Sequence, residues 1–204
     1  MLALFAAPHT CSLATCIALE EAGADYELVK LDFPKGEQRG PAFLAKNPKG
    51  RVPALATDKG IITENLAILA YIAQAYPKAQ LAPSDPYGFA VMQAFNSYLS
   101  STVHVNHAHN RRGARWSDDA AVVENLKLKV PQNMKDCYTI IEHHMLKVPW
   151  VMGAQFTAAD GYLYTIDTWL KGDGVDIADF PKVHDHFKRM NERPAVKRAV
   201  AKHE

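Results

Sequence analysis

The sequence is short of several things, and each shortage removes a class of protein. It has only three cysteines, and Cys11, Cys16 and Cys137 show no zinc-type spacing. A disulfide scaffold is thereby excluded, and a reduced, cytoplasmic setting is expected. No Asn-x-Ser/Thr acceptor occurs, in agreement with that setting. No apolar run reaches the roughly 20 residues that span a bilayer. The opening Met1–Ala7 is apolar but short, lacks a basic leader and runs into Pro8-His9. It reads as a buried strand rather than a signal peptide. There is no excess of one charge: 23 Lys and Arg against 22 Asp and Glu leave +1. So balanced a chain has no global field to recruit nucleic acid or an acidic membrane. Nor does it carry Gly-x-Gly-x-x-Gly or Gly-x-x-x-x-Gly-Lys-Ser/Thr for nucleotide phosphates, or Gly-x-Ser-x-Gly for a serine hydrolase.

What is present is an ordinary globular composition, 48% hydrophobic and 22% charged over 204 residues. That length suits one large domain or two small ones. The first part alternates strand-like and helix-like segments. Leu2–Phe5 is a short apolar run, and Ser12–Ala22 carries a stripe of Leu13, Cys16 and Ile17, with Gly23 at the C-cap position. Tyr26–Leu31 alternates as a strand does, and Pro34–Gly40 is loop. Val52–Ala56 and Gly60–Thr63 form a hairpin around Asp58-Lys59-Gly60, and a helix over 64–75 follows.

Pro77, Pro83 and Pro86 mark a linker, and the rest is helical. One segment runs from Tyr87 to about Asn110. Another runs from Asp118 to Met145, with Pro131 expected to kink it. Shorter helices start at Thr157, Pro181 and Pro194. The outline is an α/β unit over 1–76, a linker over 77–86 and an all-α unit over 87–204. Its order of strands and helices is that of a thioredoxin-like domain followed by a helical one.

Three places could carry chemistry, and a fourth motif is structural. Thr10-Cys11-Ser12 stands at the start of the first helix, where free N–H groups and the positive dipole end stabilise a thiolate. That thiolate could be Cys11 itself or a bound thiol held by Ser12; equally, Thr10 or Ser12 could be an ordinary N-cap. Val52-Pro53 opens a strand, and a cis peptide there would turn the Val52 backbone outward to pair with an extended peptide; an ordinary trans-proline on an edge strand is the other reading. Thr63-Glu64-Asn65 precedes a helix, so its amides suit a carboxylate while Glu64 suits an ammonium. An α-amino acid head group has both; a plain capping sequence is the other reading. Finally, Thr157 and Asp160 have the spacing of a capping box. Gly161 stands where a hydrophobic staple would put its apolar partner, so Phe156 is expected to pack elsewhere.

Cys11-Ser12-Leu13, Asn47-Pro48-Lys49-Gly50-Arg51-Val52-Pro53-Ala54-Leu55, Thr63-Glu64 and Phe156-Thr157-Ala158-Ala159-Asp160 stand in order along the chain. Together they make the sequence resemble the cytosolic glutathione S-transferases, closest to the bacterial beta-like class. The resemblance covers nearly the whole chain. It implies the glutathione transferase fold, a homodimer, glutathione as co-substrate, a small hydrophobic electrophile, and no cofactor or metal.

It also implies roles. Cys11, Ser12 and His104 would attend the thiol. Val52, next to Pro53, would hold the cysteinyl backbone, and Glu64 with Asn65 the γ-glutamyl end. Lys35 is the candidate for the glycyl carboxylate, with Lys49 or Arg51 as substitutes. Phe5 stands where a tyrosine often occurs, which excludes tyrosine-type activation from there. Val105 replaces a usual lysine, and Thr102 an acid near the subunit boundary. His104, His107 and His109 also invite a metal reading, although His109 falls on another helical face. Arg111, Arg112 and Arg115, with His107 and Trp116 near them, could form an electrophile pocket favouring anions, or simply a solvated helix end.

Three functions follow. The first is conjugation of glutathione to small electrophiles. The second is a glutathione-dependent disulfide reductase or peroxidase with Cys11 as nucleophile. The third is a non-catalytic binder of apolar ligands.

Overall fold

The computed structural model describes all 204 residues. Four strands, β1 (Leu2–Ala6), β2 (Tyr26–Lys30), β3 (Ala54–Thr57) and β4 (Gly60–Thr63), form one sheet in the order β2-β1-β3-β4. β1 and β2 are parallel, with Leu4 opposite Leu28, and are joined through helix α1 (Ser12–Glu21). β3 is antiparallel to both β1 and β4. The short helix α2 (Pro41–Leu44) and helix α3 (Asn65–Ala75) complete this part, which has the predicted thioredoxin-like order. Leu4, Ala54 and Leu55 are fully buried because β1 and β3 lie in the middle of the sheet.

The remainder is helical: α4 (Pro86–Tyr98), α5 (His104–Arg112), α6 (Ala120–Ile140), α7 (Ala158–Asp167), α8 (Pro181–Glu192) and α9 (Pro194–His203). Asp85 caps α4, accepting from the Gly88 N–H at 2.7 Å. Between α4 and α5 the chain stays helical through one widened turn, Leu99–Val103. Such an insertion shifts the helical phase. α6 continues past Pro131, whose ring packs on Gly174. No helix is long and apolar enough to cross a membrane.

α1 is the hub. Eight of its ten residues are buried, so it is enclosed on every side rather than packed along one stripe. One side faces the sheet and α3, and the others lie against α7 and α9. Gly161 of α7 permits this: a β-carbon there would stand 3.0 Å from Ile17 Cγ2. The glycine that removes the staple partner thus lets two helices meet. Phe156, freed from that role, packs edge-on against Trp150 and under the Arg193 guanidinium, 3.9 Å from its ring centroid. Around the apolar contact runs a polar clasp. Glu21 holds Arg193 through two bonds of 2.6 and 2.8 Å, and Glu20 receives Arg198 and Lys202.

The capping box at α7 forms, and Asp160 does more than close it. Its buried carboxylate accepts from the Thr157 N–H at 2.7 Å, the Val151 N–H at 2.7 Å and His186 Nε2 at 3.0 Å. One side chain therefore joins the start of α7, the loop before it and α8. Replacement by alanine leaves those donors buried without partners, each costing about 1–3 kcal/mol. We expect Asp160→Ala to lower Tm by roughly 10 °C in thermal denaturation. A shift within about 2 °C of wild type would contradict this account.

Candidate functional site

A cleft of about 1210 Å³ opens between the loops at the ends of β1, β3 and β4 and α5, and most of the predicted site residues stand on it. Cys11 is the N-cap residue of α1 and offers no side-chain cap. Its half-buried thiol donates to the Val52 carbonyl at 3.5 Å. That carbonyl is turned to the cleft by a cis Val52-Pro53 peptide, as the sequence suggested. Burial pushes the Cys11 thiol up to about 11, an effect that Arg112 and Arg51 only partly oppose. Cys11 is therefore a protonated donor at neutral pH.

Ser12 does not face the cleft, contrary to the catalytic role expected of it. Its side chain is fully buried, 2.8 Å from His203 Nε2 at the end of α9 and 2.7 Å from Thr10 Oγ1. The first residue of a helix has its side chain directed by the helical phase, and here that direction is into the core. Ser12 is a fastener between α1 and α9. Cys16 lies in the core as well, and Phe5 packs against Phe43 with ring centroids 5.6 Å apart.

The head-group site is assembled differently from expectation. Glu64 adopts a left-handed backbone, φ +73°, immediately before α3. Its carboxylate is exposed on the cleft and pairs with Lys49, which also donates to Thr63 Oγ1 at 2.7 Å. The Asn65 side chain is spent internally. It donates to the Cys11 carbonyl at 2.8 Å and accepts from Thr15 Oγ1 at 2.8 Å. Asn65 thus positions the Cys11 turn, with its amide already engaged at both ends before any ligand is present. Lys35 is not on the cleft wall. It is 78% exposed and pairs with Asp32 at 2.9 Å, because the loop folds its own acid back on it. Arg51, Gln38 and Arg39 line that end instead. Sequence reasoning missed Arg39, since nothing in a Pro- and Gly-rich loop indicates which cation turns inward.

α5 forms the opposite wall. His104, Ala108, Arg111 and Arg112 share one face, and Arg115 follows in the next turn. The widened turn just before His104 sets this phase. His104 rests on Trp169, ring centroids 5.0 Å apart. Burial first, then Arg112 and His107, lower its pKa to about 3, so the ring is neutral. His107 stacks on the same indole at 4.3 Å, and its Nδ1 lies 2.7 Å from the Asp173 carboxylate. Asn110 donates to the other Asp173 oxygen at 2.9 Å. This His107–Asp173 pair spans 66 residues and left no signal in the sequence. His109 turns away to pack on Trp116, so the three histidines do not converge. No group of three His, Cys, Asp or Glu side chains is placed to hold a metal ion.

Comparison with known proteins fits this geometry. Residues 1–74 match the glutathione S-transferase N-terminal domain and residues 117–194 the C-terminal domain. Glutathione S-transferase GstA of Escherichia coli O157:H7 is 31% identical over 97% of this chain and 96% of its own length. A glutathione transferase homologue from Sulfitobacter, solved with bound glutathione, is 43% identical with a TM-score of 0.96. It covers 99% of this chain and 98% of its own. A beta class glutathione S-transferase from Sphingomonas chungbukensis is 32% identical at a TM-score of 0.86, with 98% of each chain covered. The chain belongs to the glutathione S-transferase family.

The Ser12–His203 contact has a measurable consequence. Burial, with Lys30 and His9 nearby, lowers the His203 pKa to about 4 from an ordinary value of 6.5. The folded state then takes up this proton at lower pH than the unfolded chain does. Its contribution is present above about pH 6.5 and lost as pH falls towards 4, on the order of 3 kcal/mol in full. We expect Tm to fall over that range and to fall less steeply in His203→Gln, which cannot titrate. An unchanged slope in the variant would show that His203 is not the group responsible.

Proposed function

We propose that the protein conjugates reduced glutathione to a small electrophile. The observation that carries this reading is the Cys11 thiol at the tip of α1, set against the outward Val52 carbonyl on a cleft faced by His104. Glutathione would lie extended along the Val52 turn, with Glu64 taking its ammonium and the free amides of α3 its γ-glutamyl carboxylate. Arg51 and Arg39 answer the glycyl carboxylate. When the cysteinyl N–H of glutathione occupies the Val52 carbonyl, the Cys11 S–H is released to turn to the incoming sulfur.

Glutathione's thiol, like free cysteine, has a pKa of about 8.5, and lowering it by two units takes about 2.7 kcal/mol. The S–H donor, the N-terminal amides of α1 and the neighbouring arginines all act in that direction. A neutral His104 is a poor base but a competent N–H donor to the thiolate. The thiolate then attacks carbon, and the leaving group departs with the electron pair.

The reductase reading fits less well, because a thiol held at about 11 is a weak nucleophile at neutral pH. An apolar-ligand binder fits less well too, since five arginines and three histidines line the cleft. The cysteine–serine pair at α1 and the beta class neighbour support placement in the beta-like class. The family likeness further supports a homodimer, for which light scattering should give twice the 22.6 kDa chain mass. A monomer at all concentrations would remove that part.

The donor role makes a sharp distinction. Cys11→Ala should lower kcat/KM with an aryl halide about tenfold, the worth of one hydrogen bond. Cys11→Ser, which keeps a donor, should stay within about threefold of wild type. A reductase would lose activity in both variants and form a glutathione mixed disulfide on Cys11, visible by mass spectrometry. No uptake of glutathione by calorimetry would end the proposal altogether.

A further inference from the structure

The eight arginines of the chain divide into two groups. Arg189, Arg193 and Arg198 lie away from the cleft, and each is paired with a carboxylate. Arg39, Arg51, Arg111, Arg112 and Arg115 all line the cleft. None of these five has an acidic side chain within ion-pair distance, and none of their guanidinium groups donates a hydrogen bond within the chain. The two acids on the cleft wall pair with other groups. Asp173 is occupied by His107 and Asn110, and Glu64 by Lys49. A chain of formal charge +1 has thus gathered unneutralised guanidinium groups around one cavity.

Such crowding is unfavourable in itself, and its mark is visible. Partial burial together with Arg112, Arg51 and Arg39 holds Arg115 below the usual arginine value. Solvation at a helix end accounts for one or two exposed cations, but not for five that converge while every other arginine has found a partner. Glutathione brings two carboxylates, which Arg39, Arg51 and the α3 amides answer. Arg111, Arg112 and Arg115 remain. They stand on α5 and the turn after it, on the wall that also bears His104, where a second substrate approaches the sulfur.

We propose that the electrophile is itself an anion: a small carboxylate-bearing compound whose charged group is held by Arg112 and Arg115, with Arg111 at the rim. The planar guanidinium fork suits a carboxylate in two-point contact. This inference rests on the conjugation reading and specifies its second substrate. In the step itself the glutathione sulfur–carbon bond forms as the carbon–halogen bond breaks. Halide leaves with the electron pair, and the thiol proton passes to solvent.

The test uses one reactive group in two charge states, 4-chloro-3,5-dinitrobenzoate and its neutral primary amide, each corrected for its uncatalysed rate with glutathione. We expect kcat/KM to favour the carboxylate at least about tenfold. The preference should shrink as salt is raised from low ionic strength. In Arg112→Gln/Arg115→Gln the carboxylate-to-amide ratio should fall towards one. Arg198→Gln, which removes a cation paired with Glu20 away from the cleft, should leave the ratio unchanged. Equal turnover of the two compounds, or a preference that survives the double substitution, overturns the proposal. If neither compound is conjugated, the conjugation reading fails separately. Calorimetry with the two compounds then decides the anion site. Tighter binding of the carboxylate, lost in the double variant, sustains it, and equal binding refutes it.

Discussion

Everything at the cleft depends on how α1 is held. A helix with water on one side can rock about its axis, and a thiol at its tip would then wander. α1 has no such side. The sheet and α3 close one flank, α7 and α9 the others, and Gly161 brings α7 into direct contact with Ile17. Polar and charged groups complete the grip at both ends: Ser12 against His203 at the N-terminus, and near the C-terminus Glu20 and Glu21 against Arg198 and Lys202 of α9 and Arg193 just before it. The helical part is therefore structural support for the N-terminal part as well as the opposite wall of its cavity.

Much of this was legible in the sequence, for reasons that can be named. Hydrophobic period, glycine and proline placement report local geometry, so strands, helices, the hairpin and the Thr157–Asp160 cap could be read directly, while Val52-Pro53 marked a turn that either proline isomer would satisfy until the fold showed it to be cis. Which way a side chain turns at a helix end is not local. Ser12 and Cys11 are adjacent, yet one enters the core and the other the cleft, and His203, 191 residues away, decides the matter. Asn65 looked like a ligand group because its type and position suit one. Only the fold shows that Cys11 and Thr15 already occupy both ends of its amide. Lys35 was misplaced because its nearest acid, Asp32, lies in the same loop. The His107–Asp173 pair illustrates the general limit: two residues far apart in sequence carry no joint signal until the chain is folded.

Charge makes the same point at another scale. A net charge near zero means no global field to draw in nucleic acid or an acidic membrane, and that inference concerns the whole surface. It says nothing of how the charges are distributed. Glu20 and Glu21 sit where helices pack and take up Arg193, Arg198 and Lys202, while the five unpaired arginines line one cavity. A neutral total and a strongly polarised interior wall coexist because Coulomb interactions are short in salt water and stronger where solvent is partly excluded.

Glu64 occupies a backbone region that β-carbon sterics disfavour, at a cost on the order of 1–3 kcal/mol. Glycine would sit there without that penalty but would bring no carboxylate. The chain accepts a local frustration in order to present an acid and a set of helix amides side by side, already arranged before any ligand arrives. A head group that fits this arrangement needs no reorganisation of the loop, so little conformational entropy is left to lose on association.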